Sequence, residues 1–393
     1  MTIDFSEWLN LAIRWLHLTA GIAWIGSSFY FVWLDNHLTQ PAAGEASGEL
    51  WSVHGGGFYH NQKYQVAPRQ MPEQLHWFKW EAYFTWLSGF SLLVLIYYVG
   101  AESFLIDPAK AALSPAAGIG IGLGALALGW LIYDGLCRSP LGANNLVLGL
   151  WWFITLFFAA VVLDNVFNSR AAYLHIGAMI GTVMVANVFL NIIPNQRKVV
   201  ADLIAGRTPD PALGAVAKQR SLHNNYMTLP VLFIMISHHY PMTYGAERPW
   251  LVLALLGLTG VAVRHVFNLR AREKPIGVTI AVACLLALAS VTYVTVEKGS
   301  AGAGAAGPVS FAQVQPILAT HCAACHSPHP TNPAFPAPPL GLAFDSYEHV
   351  SAAAPRIKAM AVDSEAMPLG NPTHMTRAER QLLGAWITQG SPR

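Results

Sequence analysis

Charged residues are scarce in this chain. Asp, Glu, Lys and Arg make up 11% of its 393 residues, whereas a soluble globular protein carries about 25%. The formal net charge is only +2, so the chain lacks the strongly basic surface that nucleic-acid binding needs. The deficit is uneven, because residues 1–297 hold long apolar runs and residues 298–393 have the composition of a small soluble domain. The composition excludes a nucleic-acid-binding protein and predicts a membrane part followed by a soluble tail.

Cysteine and nucleotide-binding motifs are also rare. The chain has 4 cysteines, and Cys137 and Cys284 stand alone on apolar stretches, which is typical of buried thiols without a role. No G-x-G-x-x-G segment opens a strand–turn–helix unit, so no flavin or nicotinamide site is indicated. If the protein is a redox enzyme, its chemistry is expected to use haem or outer-sphere electron transfer.

Long apolar segments dominate the first part of the chain. A membrane-spanning helix needs about 20 mostly apolar residues, and eight segments meet this requirement. The sequence therefore predicts an all-α fold, in which a polytopic membrane bundle of eight spans precedes a small helical domain. The predicted spans are 8–34, 76–99, 115–134, 145–167, 171–193, 222–240, 249–268 and 276–296.

The distribution of Lys and Arg predicts the orientation of this bundle. The loops after the fifth and seventh spans, NQRKVVADLIAGRTPDPALGAVAKQR and NLRAREKP, are basic, and basic loops face the cytoplasm. An even number of spans then places both the N-terminus and the tail outside the cytoplasm. The stretch 35–75, which contains VHGGGFYHNQKY, falls on the cytoplasmic side and is expected to be partly ordered.

The tail carries the sequence CAACH after a predicted helix, FAQVQPILATH, and a final helix is predicted over TRAERQLLGAWITQG. Residues 298–307 form a Gly/Ala-rich linker, and 308–393 form the last domain, which is predicted to be a cytochrome c domain. C-x-x-C-H is the attachment signature of a c-type haem: Cys322 and Cys325 would form the thioethers and His326 the axial ligand. Met367 is the preferred sixth ligand, with Met360 and Met375 as alternatives. A zinc site or a redox dithiol is the competing interpretation of the motif.

Histidines recur at matching places in the predicted spans. Leu-His occurs at 16–17, 75–76, 174–175 and 222–223, a pattern that two parallel four-helix repeats would give. His17 and His175 would then lie at one depth in the outer half of the bundle, where His238 and His239 also fall. Such a pair could ligate a haem b or a metal, although each histidine could equally be hydrogen-bonded within the bundle.

Other ionisable residues inside the spans are costly and point to function. Arg264 needs an acid, a carbonyl or a ligand, and Asp134 is one candidate partner. A planar anion is another, because the guanidinium fork binds such groups in bidentate fashion. The candidate substrate and catalytic residues are Arg264, His265, His76, Lys79, Glu81 and His223.

The chain resembles the bacterial integral-membrane urate oxidases (urate hydroxylases) that carry a C-terminal cytochrome c domain. The resemblance rests on RWLHLTAGIAWIGSSFYFVWLD, HGGGFYHNQKY, MPEQLHWFKWEAYFTWLSGF, NIIPNQRKVV, VRHVFNLR and the terminal CAACH with AMPLGN. It implies oxidation of urate to 5-hydroxyisourate in purine degradation, with electrons passed to one covalent haem c. A soluble cytochrome c or a terminal oxidase would accept them next. It also implies the bacterial inner membrane, with the cytochrome domain in the periplasm.

This resemblance suggests roles for the polar residues and raises a problem of distance. Arg264, Lys79 and several amides would bind urate, and Glu81, His76, His223 or His265 would take a proton from the attacking water. Most of these lie in the inner half, about 30 Å of membrane away from an outer haem c. Either urate binds in the outer half near Arg14, His17 and His175, or a haem b bridges the gap. The candidate amides are Asn187, Asn191, Gln196, Asn224 and Asn225.

Two further functions remain open from the sequence. A quinol-linked or oxygen-linked respiratory subunit with a fused cytochrome c would need a lipophilic slot instead of an anion site. A transporter whose tail senses redox state is supported only by the repeat pattern. Reduction of the haem by urate, by quinol or by neither distinguishes the three.

Overall fold

The computed structural model describes residues 5–42, 44–68, 70–301, 307–363 and 366–393, and the chain in it is mostly helical. The first part is a helical bundle and the second a small helical tail. In the first part the helices are α1 Phe5–Asn36, α2 Trp80–Leu93, α3 Ala101–Phe104, α4 Pro115–Arg138, α5 Asn145–Asp164, α6 Ser169–Ala186, α7 Ile193–Ile204, α8 Pro211–Ser237, α9 Pro241–Tyr244, α10 Pro249–Arg270 and α11 Gly277–Ala301.

Two π-helical segments interrupt the regular helices of this bundle. Residues Val94–Tyr98 continue α2, and residues Asn187–Ile192 lie between α6 and α7. Helices α6 and α8 lie at the centre. Helix α6 packs on α2, α4, α5 and α8, and α8 packs on α10. Helix α1 lies at one edge against α2, with a smaller contact to α8, and α11 lies at the other edge against α10.

Among the described residues, five helices are long and apolar enough to cross a membrane. They match the third, fourth, fifth, seventh and eighth predicted spans. The other three predicted spans also contain helix, in α1, α2 and α8, but these helices are shorter or carry more polar residues, such as Arg14 and Arg220. The five apolar helices are Pro115–Arg138, Asn145–Asp164, Ser169–Ile204, Pro249–Arg270 and Gly277–Val296.

One β-hairpin interrupts the helical fold that the sequence predicts. Strands β1 Gly48–His54 and β2 Gly57–Lys63 pair in antiparallel register, with Trp51 opposite His60. Gly55 and Gly56 both adopt positive φ at the turn, a conformation that a two-residue hairpin turn requires and that glycine tolerates. The stretch 35–75, which was expected to be only partly ordered, thus forms a hairpin.

The tail folds around its own apolar core. Helix α12 spans Phe311–His321, α13 spans Tyr347–Ile357 and α14 spans Arg377–Thr388. Trp386 and Leu383, both on α14, are fully buried against α12 and α13. The predicted helix before the C-x-x-C-H motif and the predicted final helix are both confirmed. The predicted linker 298–307 begins too early, because α11 continues to Ala301, and residues 302–306 lie outside the described residues.

The tail packs against one end of the bundle. An added Cβ at Gly370 would lie 2.8 Å from the Ser103 carbonyl oxygen, so the loop after Met367 touches the α3 region through bare backbone. Segment Lys358–Val362 of the tail contacts α9. This tail-facing end contains the start of α6 and of α10 and the end of α8.

The four Leu-His pairs do not occupy equivalent positions. His76 is exposed and precedes α2, whereas His223 is buried in the middle of α8. His17 bonds to the neighbouring helix α2, whereas His175 bonds to its own helix at the Ala171 carbonyl. The structure therefore gives the predicted four-helix repeat no support at these pairs.

Candidate functional site

The C-x-x-C-H motif begins where α12 ends. The amide of His326 donates to the Cys322 carbonyl at 2.8 Å, so one tight turn brings both cysteines and the histidine together. The Nδ1 of His326 donates to the Leu342 carbonyl at 3.0 Å, and its ring stacks on Phe344. Within the described chain its Nε2 makes no hydrogen bond. A carbonyl partner on Nδ1 is the arrangement that orients an imidazole for metal ligation through Nε2.

The methionine candidates differ in how they are held. Met375 is buried in the tail core, where Asn371 accepts a hydrogen bond from its amide. Met367 is only partly buried and lies in a loop that is fixed from its backbone: Arg380 donates to the Met367 carbonyl at 2.6 Å and also to the Ala361 carbonyl. Met367 stays the preferred sixth ligand, because its side chain is not committed to the core centre.

The two thiols of the motif lie in an environment that favours protonation. Burial raises the pKa of Cys322 to about 12 and also raises the pKa of Cys325. A zinc site or a reactive dithiol needs thiolates. Nor does the described chain gather three His, Cys, Asp or Glu side chains into a cluster that could hold a metal ion. The geometry thus gives the zinc and dithiol interpretations no support.

A polar centre lies at the far end of the bundle, away from the tail. We name Phe29, Asn225, Arg264 and Asn268 the distal centre. The Arg264 guanidinium lies 3.9 Å from the centroid of the Phe29 ring, and its Nε donates to Asn225 Oδ1 at 3.1 Å. Asn268 donates to the same oxygen at 2.9 Å, and the Nδ2 of Asn225 and the Oδ1 of Asn268 are buried without partners. The arrangement offers both donors and acceptors to a planar ligand.

The predicted pairing of Asp134 with Arg264 is wrong. Asp134 accepts from Arg220 at 2.6 Å and from Arg138 at 2.6 Å. Arg220 is 2% exposed. It lies in the stretch that was predicted to be a basic loop. Because α8 begins earlier than predicted, at Pro211, Arg220 lies inside the bundle. Arg220 also donates to the Asn187 amide oxygen at 3.2 Å.

His223 belongs to the polar network of Asp134, Arg220 and Asn187 and not to the distal centre. Its Nδ1 lies 2.8 Å from the Tyr133 hydroxyl, and its Nε2 lies 3.1 Å from Asn145 Oδ1. Asn187 donates both to the Tyr133 hydroxyl at 3.0 Å and to Asn224 at 2.9 Å. Tyr133, a fully buried residue that the sequence did not single out, is the hub of this network.

The remaining predicted substrate residues are dispersed. His265 is held by the Tyr226 hydroxyl, which lies 2.7 Å from its Nδ1. His76 packs edge-on against Phe78, and the Lys79 ammonium lies over the Trp80 ring. Within the described residues no ion pair joins the Glu81 carboxylate to Lys79 or to Arg264.

His17 and His175 are not brought together as a pair. His17 bonds to the Thr85 carbonyl at 2.9 Å and packs over Gly89, both on α2. His175 instead lies 3.3 Å from the Tyr98 hydroxyl. Nine residues separate Gly89 from Tyr98, or about 13 Å along the helix. The two rings therefore sit at different depths with α2 between their helices, and the predicted shared ligation does not fit.

A second polar centre lies at the tail-facing end of the bundle. We name Arg14, Tyr97, Arg170, His238 and His239 the proximal centre. Arg14 Nη1 lies 3.4 Å from His238 Nε2, and the rings of His238 and His239 are 3.8 Å apart. Arg170 lies within electrostatic range of both Tyr97 and His238. The sequence drew attention to Arg14 and the histidines; it missed Arg170 and Tyr97, which no motif marks.

The structure thus combines a helical bundle, in which five described helices are long and apolar enough to cross a membrane, with a tail that bears a C-x-x-C-H motif. The chain belongs to the urate oxidase N-terminal family, since the family model of that description matches residues 4–295. The comparisons with curated proteins and with solved structures gave no match. Family membership indicates an oxidoreductase that acts on urate, and the match ends before the tail.

Proposed function

We propose that this protein oxidises urate to 5-hydroxyisourate at the membrane and that the electrons pass to a haem c carried by its tail. The observation that carries the proposal is the direct contact between the two parts: a bundle of the urate oxidase family packs at Ser103 against the loop that follows Met367. An electron donor site and an acceptor site in one folded chain need no diffusing intermediate carrier between them.

The reaction balances with water as the oxygen source. Urate and one water give 5-hydroxyisourate, two protons and two electrons, as the water oxygen bonds to C5. The protein must therefore bind a planar anion, remove protons from the water and provide an electron acceptor. Donors in the bundle suit the anion, and a histidine suits proton removal. His265, whose Nδ1 lies 2.7 Å from the Tyr226 hydroxyl and which follows Arg264 in the chain, is one candidate base, with His76, His223 and Glu81 as the others.

The residues of the tail fit a haem c. Cys322 and Cys325 would form the thioethers, His326 would bind the iron through Nε2, and Met367 would complete the coordination. A haem c bound there supplies a one-electron acceptor, which a soluble cytochrome c or a terminal oxidase would reoxidise. The Leu342 carbonyl contributes by fixing the tautomer of His326, and Arg380 contributes by fixing the backbone at Met367.

We place the bundle in the bacterial inner membrane with the tail on the periplasmic side. The five apolar helices support membrane insertion. The connection from α6 to α8 at the end away from the tail contains Arg197, Lys198 and Arg207 between residues 195 and 210, and basic connections face the cytoplasm. Haem c attachment outside the cytoplasm agrees with that orientation. A haem b shared by His17 and His175 is not proposed, because their separation does not fit it.

The test is anaerobic addition of urate to the purified, oxidised protein while the reduced haem c absorption band is followed. We expect reduction by urate and formation of 5-hydroxyisourate with two electrons per urate. The Cys322→Ala variant, which lacks a thioether, controls for non-specific reduction of the haem. Reduction by quinol but not by urate would replace the proposal with the respiratory function, and reduction by neither would favour the transporter.

A further inference from the structure

The location of the tail restricts where urate can give up its electrons. Pro249, the first residue of α10, borders the tail-facing cleft, and Arg264 of the distal centre lies fifteen residues further along the same helix. This separation corresponds to about 22 Å along the helix axis. Electrons from urate at Arg264 would have to cross that distance before they reached the tail. The proximal centre lies at the correct end.

The proximal centre is positively charged without a compensating acid. In the described part of the chain no ion pair joins Arg14, Arg170, His238 or His239 to an Asp or Glu. His238 donates from Nδ1 to the Met235 carbonyl, so its Nε2 accepts from Arg14. Arg14 is exposed and also donates to Asn10 Oδ1, whereas Arg170 is half-buried. A cation in an apolar bundle that lacks a carboxylate is stabilised when an anion binds beside it.

Two buried polar atoms of this centre also lack partners. The Tyr97 hydroxyl belongs to a side chain that is 3% exposed, and within the described residues it makes no hydrogen bond of good geometry. Arg170 lies close to this hydroxyl, and the Nε of Arg170 is buried without a partner among the same residues. Burial of an unsatisfied polar group costs about 1–3 kcal/mol. A ligand with both acceptors and donors would satisfy these atoms.

A cleft lies beneath the tail. It has a volume of about 640 Å³, within the range of roughly 300–1,000 Å³ that ligand pockets occupy. Ser169, which precedes Arg170, forms one wall, and Met242 and Gly245 of the α9 segment form another. Val362 and Arg377 of the tail close it from above. The cleft therefore comes next to the proximal centre at Ser169, although the five residues of that centre do not themselves line it.

We infer that the proximal centre is the urate site, in which Arg170 and Arg14 bind the anion and the Tyr97 hydroxyl accepts or donates a hydrogen bond to its edge. Urate reaches the centre through the cleft between bundle and tail. This inference rests on the proposed function and deepens it, because it moves the substrate from the distal centre to the end where the electron acceptor lies. His238, whose Nε2 faces Arg14, is then the nearest candidate to take the proton from the attacking water.

The experiment combines two measurements on the full-length protein. Urate binding is measured by calorimetry on the dithionite-reduced protein, in which no turnover occurs, and haem reduction by urate is measured anaerobically by stopped flow. The variants are Arg170→Gln and Tyr97→Phe. The controls at the same end of the bundle are Arg248→Gln and Tyr240→Phe, which remove the same groups from exposed positions.

We expect Arg170→Gln to weaken urate binding about tenfold or more, since it removes a charge-assisted hydrogen bond, and the controls to bind as the wild type does. Tyr97→Phe is the sharper variant. Its hydroxyl makes no hydrogen bond of good geometry within the described residues, so we expect the fold to be retained while urate binding and haem reduction fall. Arg170→Lys should recover part of the binding if Gln fails to fold.

Unchanged urate affinity in both Arg170→Gln and Tyr97→Phe would overturn the inference. So would a loss of binding in Arg264→Gln while the proximal variants bind normally, since that result places urate at the distal centre. One result separates the inference from the proposed function. If Arg170→Gln weakens urate binding but urate does not reduce the haem of the wild type, the urate site at the proximal centre is supported and the proposed oxidation is contradicted.

Discussion

The two ends of the bundle place their arginines in different surroundings. At the far end, the buried Arg220 pairs with Asp134, and the buried Arg264 stacks on Phe29 and bonds to Asn225. At the tail-facing end, Arg14 is exposed and Arg170 is half-buried, and among the described residues no carboxylate pairs with either of them. A charged residue in an apolar bundle therefore does not by itself indicate a substrate site. A charged residue that pairs with another residue of the protein stabilises the fold, whereas one without such a partner can bind a ligand.

The largest expected effect concerns the proposed electron acceptor, the haem c of the tail. His326→Ala removes the axial ligand that the Leu342 carbonyl orients. We expect loss of haem reduction by urate, with urate binding at the proximal centre preserved. Absorption spectroscopy and calorimetry on one preparation check both parts. Loss of urate binding as well would mean that tail and bundle do not act as separate acceptor and donor sites.

The far-end ion pair should matter for stability and not for electron transfer. Asp134→Asn leaves Arg220, which is 2% exposed, without its anion, and breaking a buried pair costs about 3–5 kcal/mol. We expect a clearly lower Tm in detergent. The matched change at the other end, Arg14→Gln, removes no ion pair and should leave Tm near that of the wild type. Equal Tm values for the two variants would contradict the proposed difference between the two ends of the bundle.

Docking of the tail should affect electron transfer but not urate affinity. Gly370 has a φ of +70°, and an added Cβ would lie 2.8 Å from the Ser103 carbonyl oxygen. Gly370→Ala is therefore strained and displaces the loop from the bundle. We expect the rate of haem reduction by urate to fall while the calorimetric affinity stays unchanged. Gly390→Ala, which also replaces a glycine of positive φ but has open space around it, is the control for strain alone.

The smallest effect is a pH dependence that is confined to the tail. Hydrogen bonds from Thr376 and His321 lower the pKa of Glu379 from 4.5 to about 2. Because the folded pKa is depressed, this contribution is present above about pH 4.5 and is lost as the pH falls towards 2. Glu379→Gln should flatten the acid dependence of tail unfolding in that interval. Near-UV circular dichroism between pH 5 and 2 measures it, and an unchanged slope would contradict the assignment.

Local patterns in the sequence predicted much of the architecture. Apolar runs such as 115–134 and 249–268 correspond closely to α4 and α10, because a helix of about 20 apolar residues is recognisable without its neighbours. The helix before CAACH and the final helix were also predictable from the sequence. Each has a capping box at its N-terminus, at Ser310 and at Thr376. The Gly55–Gly56 hairpin was a missed signal that the sequence did contain.

The composition and spacing of residues alone thus determined the helical character, the apolar spans and the C-x-x-C-H turn. Only the tertiary structure decided the partners. It paired Asp134 with Arg220 instead of Arg264, set His17 and His175 at different depths, and gathered Arg14, Tyr97 and Arg170 from three separate segments beneath the tail. The reason is physical: periodicity fixes which face of a helix is apolar, but the depth and rotation at which helices pack depend on contacts between residues far apart in the chain.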